Sequence, residues 1–507
     1  MFARLVVAVA AGAAGVLAFA PFYAWPLAIV SLVVLFSLLA HTPAPRQAAA
    51  IGFAWGLGLF LAGVSWIYVS LHVYGNMPAP LAGLAVFLFC SYLALYPALA
   101  GWLQARLQVP SLMRLLLLMP VAFVSAEYLR GWVVSGFPWL ILGYSQTPSA
   151  EIMAPLAGYA PVLGVFGISL ILALTAGAVV AASKNLSSLV LLPAARRALV
   201  IAAVAVWLGG VLLAAQEWSS PSGKALPVSL VQGNIAQHLK WREDQRAATI
   251  EAYLELAEQS RGRLIVLPET ALPMMLHDVP GAVLSVLHRK AAANGGDLLM
   301  GIAYADGNTK AANFIDYYNG AVSIGASPPQ RYAKQHLVAF GEFVPPLFSW
   351  VYRWLTIPLS GFTPGPRSPA PMQLAGHFVG VNICYEDTFG AEIATSLPRA
   401  ELLVNMSNMA WYGDSLAADQ HAQFSQMRAL EASRWMLRAT NTGVTAAIDE
   451  KGRIVKALPQ FTRGVLEVEV MPRQGVTPYV RWKDAPILLL LVLALLLSFN
   501  QHRRAVK

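Results

Sequence analysis

Long apolar blocks fill most of the first 216 residues and constrain the fold of this chain more than any other feature. Of its 507 residues, 57% are hydrophobic and only 12% are charged, whereas soluble domains have about 25% charged residues. A membrane-spanning helix needs about 20 mainly apolar residues. By this criterion the sequence predicts eight spans, at residues 4–20, 25–40, 51–74, 81–104, 112–130, 158–182, 196–215 and 485–500.

A segment of mixed composition interrupts the apolar blocks and predicts three parts. These are a transmembrane bundle of about seven helices at residues 1–216, an extramembrane domain at residues 217–484, and a C-terminal transmembrane helix with a short tail at residues 485–507. The middle part has about 270 residues, which is enough for one large domain with its own hydrophobic core.

The positive charges of the short loops predict the orientation, since Lys and Arg concentrate in cytoplasmic loops. The basic residues at alternate span ends are Arg4, Arg46, Arg106, Arg114, Lys184, Arg196, Arg197, Arg503, Arg504 and Lys507. If the N-terminus is cytoplasmic, all of them lie on that side, and the domain lies outside. The net charge of +9 is then mainly a topology signal, and nucleic acid binding is the weaker interpretation. Residues 1–20 also resemble a signal peptide, but the next apolar block favours a retained span.

Short apolar runs alternate with helix-like stretches in the middle part. The runs include "PVSLVQGNI", "RLIVLPET", "LLMGIAYA" and "FVGVNICYED", and the helix-like stretches are residues 242–260, 279–293 and 415–438. This alternation predicts an α/β fold whose sheet faces are covered. The aromatic-rich segment 342–362 has three internal prolines, which argue against a buried strand. A packed surface loop and an arm that touches the bilayer both remain open for it.

Cys384, in "GVNICYEDT", is the first candidate for chemistry. The only other cysteine, Cys90, falls inside the fourth predicted span, so a disulfide between them is not expected. A structural zinc site needs four ligands at characteristic spacing, and neither a second Cys nor a spaced His pair lies nearby in the sequence. Taken alone, Cys384 is most simply a small buried side chain.

Two further polar groups also follow strand-like runs. Glu269 ends "VLPET", and Lys334 lies in "YAKQHLVAFGEFVP", with Glu342 eight residues later. Open α/β sheets bind ligands beyond the carboxyl ends of their strands. One such glutamate or lysine is commonly just solvated, but a Glu, a Lys and a Cys in this position together favour a shared site.

These three residues carry a resemblance to a known family. Glu269, Lys334 and Cys384 match the Glu–Lys–Cys pattern of the nitrilase superfamily, and with the predicted spans the chain resembles the apolipoprotein N-acyltransferases. Further similar segments are "VQGNIAQHLKW", "NMSNMAWYGDS", "QHAQFSQMRALEASRWMLRATNTGVTAAID" and "GRIV". The resemblance covers nearly the whole chain. One departure is Met409 in "SNMAW", where the family pattern has an acidic residue.

The resemblance implies a nitrilase-like α-β-β-α sandwich attached to an eight-helix bundle in the bacterial inner membrane, with a periplasmic domain and cytoplasmic termini. The implied enzyme transfers a fatty acyl chain from a phospholipid, with phosphatidylethanolamine as the expected donor, through a cysteine thioester. The acceptor is the N-terminal amine of the diacylglyceryl-cysteine of an apolipoprotein. No metal, organic cofactor or nucleic acid is expected.

The chemistry assigns a role to each of the three residues. Cys384 is expected to be the nucleophile, Glu269 the general base and acid, and Lys334 the group that favours the thiolate and stabilises the oxyanion. A Cys–His arrangement would instead need a histidine close by, and the candidates are His336, His377 and His421. This alternative ranks below Glu–Lys–Cys.

The resemblance also implies supporting residues. Glu342 and Glu386 would orient Lys334 and the cysteine loop, although acids near strand ends are often just solvated. The aromatic residues Tyr385, Trp241 and Trp411 would pack against substrate or loops, with core packing as the simpler alternative for the tryptophans. Asp387 has no assigned role.

Two other functions remain open from the sequence alone. A membrane-anchored amidase would hydrolyse small amides with the same three residues, but it leaves the spans unexplained. A transporter would use ionisable groups within the membrane, for which Glu127 and Arg130 are the main candidates. These two residues could equally pair structurally.

Overall fold

The computed structural model describes residues 1–149, 151–152, 154–183, 192–306, 316–344 and 361–506. It consists of two compact units. The first comprises Met1–Tyr68, Met77–Glu217 and Arg481–Lys507, and the second comprises Val69–Asn76 and Trp218–Val480. Most of the predicted arm at residues 342–362 lies outside the described residues.

The first unit is built from apolar helices. They are Phe2–Gly15, Pro26–Ala40, Pro45–Val64, Ala79–Arg106, Ser111–Met113 followed by a π-helix at Arg114–Leu118, Met119–Arg130, Ala160–Ala182, Pro193–Ala214 and Ala485–Val506. Within the described ranges, six helical stretches are long and apolar enough to cross a membrane, and two shorter apolar ones lie near the N-terminus. The chain is a multi-pass membrane protein, while the count of eight spans stays a prediction.

The third predicted span, at residues 51–74, is shorter in the structure. Its helix ends at Val64, and a separate π-helix at Val69–Tyr74 belongs to the second unit. The apolar residues 65–74 therefore do not continue the helix Pro45–Val64.

Glu127 and Arg130 hold a neighbouring segment of the first unit in place. A carboxylate oxygen of Glu127 accepts the N–H of Leu142 at 2.9 Å, and Arg130 donates to the carbonyl oxygen of Trp139 at 2.6 Å. Both side chains are buried. These contacts satisfy buried backbone groups and give the two residues a structural role, which weakens the support for a transporter.

The second unit contains fourteen strands in its described residues. They are β1 (Ser220–Pro221), β2 (Leu226–Gln232), β3 (Leu264–Val266), β4 (Asp297–Asp306), β5 (Asp316–Gly325), β6 (Arg331–Ala333), β7 (Met372–Leu374), β8 (His377–Ile383), β9 (Leu402–Ser407), β10 (Met436–Thr440), β11 (Ala446–Ile448), β12 (Ile454–Ala457), β13 (Gly464–Val470) and β14 (Arg473–Gln474). Two six-stranded sheets have the orders β13-β2-β3-β4-β5-β6 and β12-β11-β10-β9-β8-β7, and β1 pairs with β14.

The strand sequences explain why the two sheets stack. Side chains alternate between the two faces of a strand, and Leu264 and Val266 of β3 join a core cluster with residues of β8 and β9. Ile265, which lies between them, belongs to a different cluster, which includes Tyr253 and Leu287 on helices. One face of the sheet therefore packs on the other sheet, and the opposite face packs on helices.

Helices cover both sheets and complete an α-β-β-α sandwich. The α-helices of this unit are Gln237–Lys240, Arg246–Gln259, Gly281–Ala293, Gly390–Ile393 and Ala417–Ala432, and Pro478–Trp482 follows at its end. The first two long helices pack on the sheet that contains β3, and Ala417–Ala432 contacts β10 and β11. The predicted α/β sandwich is confirmed.

One predicted helix, at residues 415–438, is too long. The helix ends at Ala432, because Ser433 adopts a left-handed conformation with φ of 49°. Residues Met436–Thr440 then form β10. Arg438 is therefore a buried strand residue rather than the end of a helix.

Candidate active site

Glu269, Lys334 and Cys384 each come directly or shortly after the end of a strand. Glu269 comes three residues after β3, and Lys334 directly follows β6. Because β4 and β6 are both antiparallel to β5, they run in the same direction, and β3 is parallel to β4. Glu269 and Lys334 therefore share an edge. Cys384 directly follows β8, in the other sheet.

The amine of Lys334 lies between two carboxylates. Its Nζ is 2.9 Å from Oε1 of Glu342 and 3.6 Å from Oε1 of Glu269. Only 1% of the lysine is exposed. Burial acts to lower the pKa of Lys334, but Glu342 and then Glu269 outweigh it and raise the pKa above its ordinary value. The lysine thus carries a fixed positive charge at the site.

Two asparagines that the sequence did not single out hold the carboxylate of Glu269. The amide of Asn319, on β5, donates to Oε1 of Glu269 at 2.8 Å and also to Glu342. The backbone N–H of Asn408 donates to Oε2 of Glu269 at 2.9 Å. Both oxygens of this carboxylate therefore have fixed donors. The available clue in the sequence was that Asn319 directly precedes the apolar residues "GAV" of β5.

Lys240 is a second buried cation beside Glu269. Its Nζ donates to Oγ1 of Thr270 at 2.9 Å and to the carbonyl oxygen of Glu269 at 3.3 Å. Thr270 has a positive φ of 45°, which is uncommon for a β-branched residue, so these bonds fix an otherwise unfavourable turn. Burial lowers the pKa of Lys240 to about 8, with Glu269 acting in the opposite direction.

A glycine allows the Glu269 turn to approach β4. A Cβ atom at Gly301 would lie 2.5 Å from the carbonyl oxygen of Pro268 and 2.7 Å from the Cα of Glu269. The N–H of Ala271 bonds to the carbonyl oxygen of Gly301 at 2.9 Å. A larger residue at this position would displace the carboxylate from its donors.

Cys384 is partly exposed and occupies a strained backbone position. Its φ is 52°, in the left-handed region that residues other than glycine rarely adopt. Burial and the negative charge of Glu269 raise the pKa of the thiol, while the positive charge of Lys334 acts to lower it. The net effect is a thiol pKa above its ordinary value, so the resting thiol is protonated.

The carboxylate of Glu386 connects the Lys334 and Cys384 strand ends. One oxygen accepts the N–H of Ile383 at 2.6 Å and the hydroxyl of Tyr332 at 2.7 Å. The other accepts the N–H of Gln335 at 2.7 Å. Burial raises the pKa of Glu386 to about 7, although these donors and Lys334 act against the rise. These contacts are those expected of a residue that orients the site.

Glu342 is held in the same way as Glu386. Its Oε2 accepts the N–H of Val338 at 2.8 Å, which leaves Oε1 facing Lys334. The predicted orienting roles of Glu342 and Glu386 stay predictions, but neither side chain is a solvated surface acid.

The three predicted aromatic residues differ in their surroundings. Tyr385 is buried, and its ring contacts the ring of Phe389 at 5.3 Å between centroids. Trp411 is half-buried and meets Tyr74 edge-on at 6.1 Å. Trp241 is half-buried directly after the short helix that carries Lys240. Trp411 therefore contacts the segment Val69–Asn76, which belongs to the same unit.

The three histidines that a Cys–His arrangement would need all have polar partners. His421 bonds to the carbonyl oxygen of Cys384 at 3.1 Å. His336 Nδ1 lies 3.1 Å from Glu392, and His377 Nδ1 lies 3.3 Å from Glu401. Across the described residues, no cluster of three or more His, Cys, Asp or Glu side chains is arranged to hold a metal ion.

Comparisons with protein families match both parts of the chain. Residues 11–178 match the apolipoprotein N-acyltransferase N-terminal domain, and residues 227–478 match the carbon–nitrogen hydrolase domain. An apolipoprotein N-acyltransferase of Nitrosomonas europaea is 45% identical, over 99% of this chain and 99% of the relative. One of Chromobacterium violaceum is 42% identical, over 98% of this chain and 94% of the relative.

Solved structures also match part of the chain. One is a mutant of a Nesterenkonia AN1 amidase from the nitrilase superfamily, at 16% identity and a TM-score of 0.39. The match covers 53% of this chain and 97% of the amidase.

Proposed function

Since the chain belongs to the apolipoprotein N-acyltransferase family, we propose that it catalyses the last acylation of bacterial lipoproteins through Cys384. It is an N-acyltransferase that acts on lipid and apolipoprotein substrates. The specific donor that we propose is phosphatidylethanolamine, and the acceptor is the N-terminal amine of the diacylglyceryl-cysteine.

The observation that carries this mechanism is the meeting of three groups from separate strand ends. Lys334 lies 3.6 Å from Glu269, and the carboxylate of Glu386 bonds to the backbone N–H groups next to Lys334 and Cys384, at Gln335 and Ile383. A base, a cation and a thiol in one place are the groups that acyl transfer through a thioester requires. A protonated resting thiol needs such a base at the moment of attack.

In the first step the sulfur of Cys384 attacks the ester carbonyl carbon of the phospholipid, and Glu269 takes the thiol proton. The oxyanion that forms is stabilised by the ammonium of Lys334. The bond between the carbonyl carbon and the glycerol oxygen then breaks, and Glu269 returns the proton to that oxygen. The products are an acyl-thioester on Cys384 and a lysophospholipid.

In the second step the amine of the apolipoprotein attacks the thioester carbonyl carbon. Glu269 accepts a proton from the amine, the carbon–sulfur bond breaks, and the proton passes to the departing sulfur. The products are an amide-linked acyl chain on the lipoprotein and the free Cys384 thiol. Glu269 therefore begins and ends the cycle as a carboxylate, which the donors from Asn319 and Asn408 support.

We place the enzyme in the bacterial inner membrane, with the second unit in the periplasm and both termini in the cytoplasm. The distribution of Lys and Arg between the short loops supports this orientation. Both proposed substrates are anchored in a membrane, which gives a physical reason for joining the catalytic unit to spanning helices.

The test is a transfer assay with purified enzyme, phosphatidylethanolamine carrying isotope-labelled acyl chains, and a synthetic diacylglyceryl-cysteine peptide. The expected product is the peptide with one labelled chain on its amine, detected by mass spectrometry. A matched peptide with an acetylated amine should gain no chain. Release of ammonia from small amides with no labelled peptide would contradict the proposal and favour an amidase. Labelled phosphatidylglycerol in a parallel assay tests the headgroup.

A further inference from the structure

Asp387 lies in the turn that follows the cysteine, and no step of the mechanism uses it. Its side chain is fully buried. Oδ1 is 2.8 Å from Nε2 of His421, while Oδ2 accepts the Ser425 hydroxyl at 2.6 Å and Nη1 of Arg438 at 3.1 Å. Asp387 is therefore the counter-ion of a buried arginine.

The same partners hold the backbone of Cys384. Its carbonyl oxygen is 3.1 Å from Nε2 of His421 and accepts the amide of Asn405 at 3.0 Å. Arg438 in turn donates to Oδ1 of Asn405 at 3.0 Å. Arg438 thus acts on the cysteine carbonyl through both His421 and Asn405.

The hydrogen bonds define the tautomer of His421. Nη2 of Arg438 lies 2.6 Å from Nδ1 of His421, and a guanidinium can only donate, so Nδ1 is the acceptor. The ring hydrogen is consequently on Nε2 and points to Cys384 and Asp387. Burial and the charge of Arg438 lower the pKa of His421, which agrees with a neutral ring.

Met409 also contacts the imidazole of His421. Its Sδ is 3.1 Å from Nδ1 of His421, the same nitrogen that faces Arg438. A carboxylate at position 409 would lie beside the same imidazole and guanidinium. The cluster thus has two places from which a negative charge can balance Arg438, and in this chain only one of them carries a charge.

We propose that Asp387 is a positioning residue for acyl transfer, that it holds the strained Cys384 backbone through His421 and Arg438, and that a carboxylate at position 409 can replace it. A left-handed cysteine needs its carbonyl fixed to keep the sulfur aimed at the ester. Removing Asp387 leaves Arg438 as a buried charge without its counter-ion. This inference rests on the proposed role of Cys384 as the nucleophile.

The test compares Asp387→Asn, Asp387→Asn/Met409→Asp and Asp387→Asn/Met409→Asn. The readout is the single-turnover rate of acyl-enzyme formation at saturating phospholipid, with apparent KM and thermal stability measured alongside. We expect Asp387→Asn to lower the rate about 10- to 100-fold, the range for a small misplacement of a reacting group, with KM unchanged. Met409→Asp should restore most of the rate, whereas the uncharged Met409→Asn should not.

Each outcome decides the inference. A rate for Asp387→Asn within twofold of wild type would overturn it, as would equal rates for the two double variants. If Asp387→Asn does not accumulate, recovery of folded, active enzyme only with Met409→Asp supports it, and equal accumulation of both double variants contradicts it. Absence of an acyl-enzyme in the wild type would instead contradict the proposed function, so the two failures are distinguishable.

Discussion

The ammonium of Lys334 lies 3.6 Å from the carboxylate of Glu269, and the two groups shift the pKa of Cys384 in opposite directions. Glu269 raises this pKa and Lys334 lowers it. The proposed mechanism needs both residues, so the loss of either one should lower turnover. Their effects on the reactivity of the free thiol should nevertheless be opposite.

Glu269→Gln should slow acyl-enzyme formation by about 100-fold or more, because general base catalysis is lost. The same substitution removes a negative charge beside Cys384, so the thiol pKa falls and alkylation by neutral iodoacetamide at pH 8 should become faster. Lys334→Met is the matched variant, and it should slow both reactions. Changes of alkylation rate in the same direction for the two variants would contradict this account of the site.

Glu386→Gln tests whether Glu386 connects the end of β6, before Lys334, to the end of β8, before Cys384. The glutamine NH₂ group would face donors that now bond to a carboxylate, and each buried donor left without an acceptor costs about 1–3 kcal/mol. We expect a lower Tm and slower acyl transfer. An unchanged Tm at every pH would argue against the connecting role.

The pH dependence of that Tm difference has a defined sign. The pKa of Glu386 is about 7 in the fold and about 4.5 ordinarily, so its protonated form is favoured in the folded state. This contribution to stability is fully present below about pH 4.5 and is lost as the pH rises through 7. The Tm of wild type minus that of Glu386→Gln should therefore shrink between pH 5 and pH 8, and growth of the difference would show that the sign is wrong.

Lys240→Met tests the cation that holds the Glu269 turn. The pKa of Lys240 is lowered to about 8, so the lysine is charged at pH 7 and loses its charge as the pH rises past 8. The ratio of wild-type to Lys240→Met rates should be high and constant below pH 7 and should fall above pH 8. Lys240→Arg keeps a cation at high pH and serves as the control. A ratio independent of pH would show that the charge of Lys240 is not used.

The fold class and the three central residues could be predicted because both depend on local patterns. Apolar runs that end in Glu269, Lys334 and Cys384 indicate strand ends. Glu269 and Lys334 share one edge of a sheet, whereas Cys384 follows a strand of the other sheet, which packs on the first. Asn319 and Asn408 could not be assigned, since their bonds to Glu269 depend on the pairing of β5 and on the turn after β9.

The partners of Asp387 were hidden for a related reason. Ser425 and Arg438 appear in one continuous helical pattern, which in the structure is a helix, a left-handed turn at Ser433 and a strand. Because the chain turns at Ser433 and continues as a strand, Arg438 comes within hydrogen-bond distance of Asp387 and Asn405. A buried charge network joins residues that are far apart in sequence. The spacing of apolar residues along the sequence does not predict such contacts.

The central claim is that Cys384 carries the acyl chain, and intact mass analysis tests it most directly. Purified enzyme incubated with phospholipid alone should gain the mass of one fatty acyl chain, located by peptide mapping on the Cys384 peptide and removed by hydroxylamine. Cys384→Ser should gain no hydroxylamine-labile chain. An unmodified wild-type Cys384 peptide, or a labile acyl chain on Cys384→Ser, would contradict the assignment of the nucleophile.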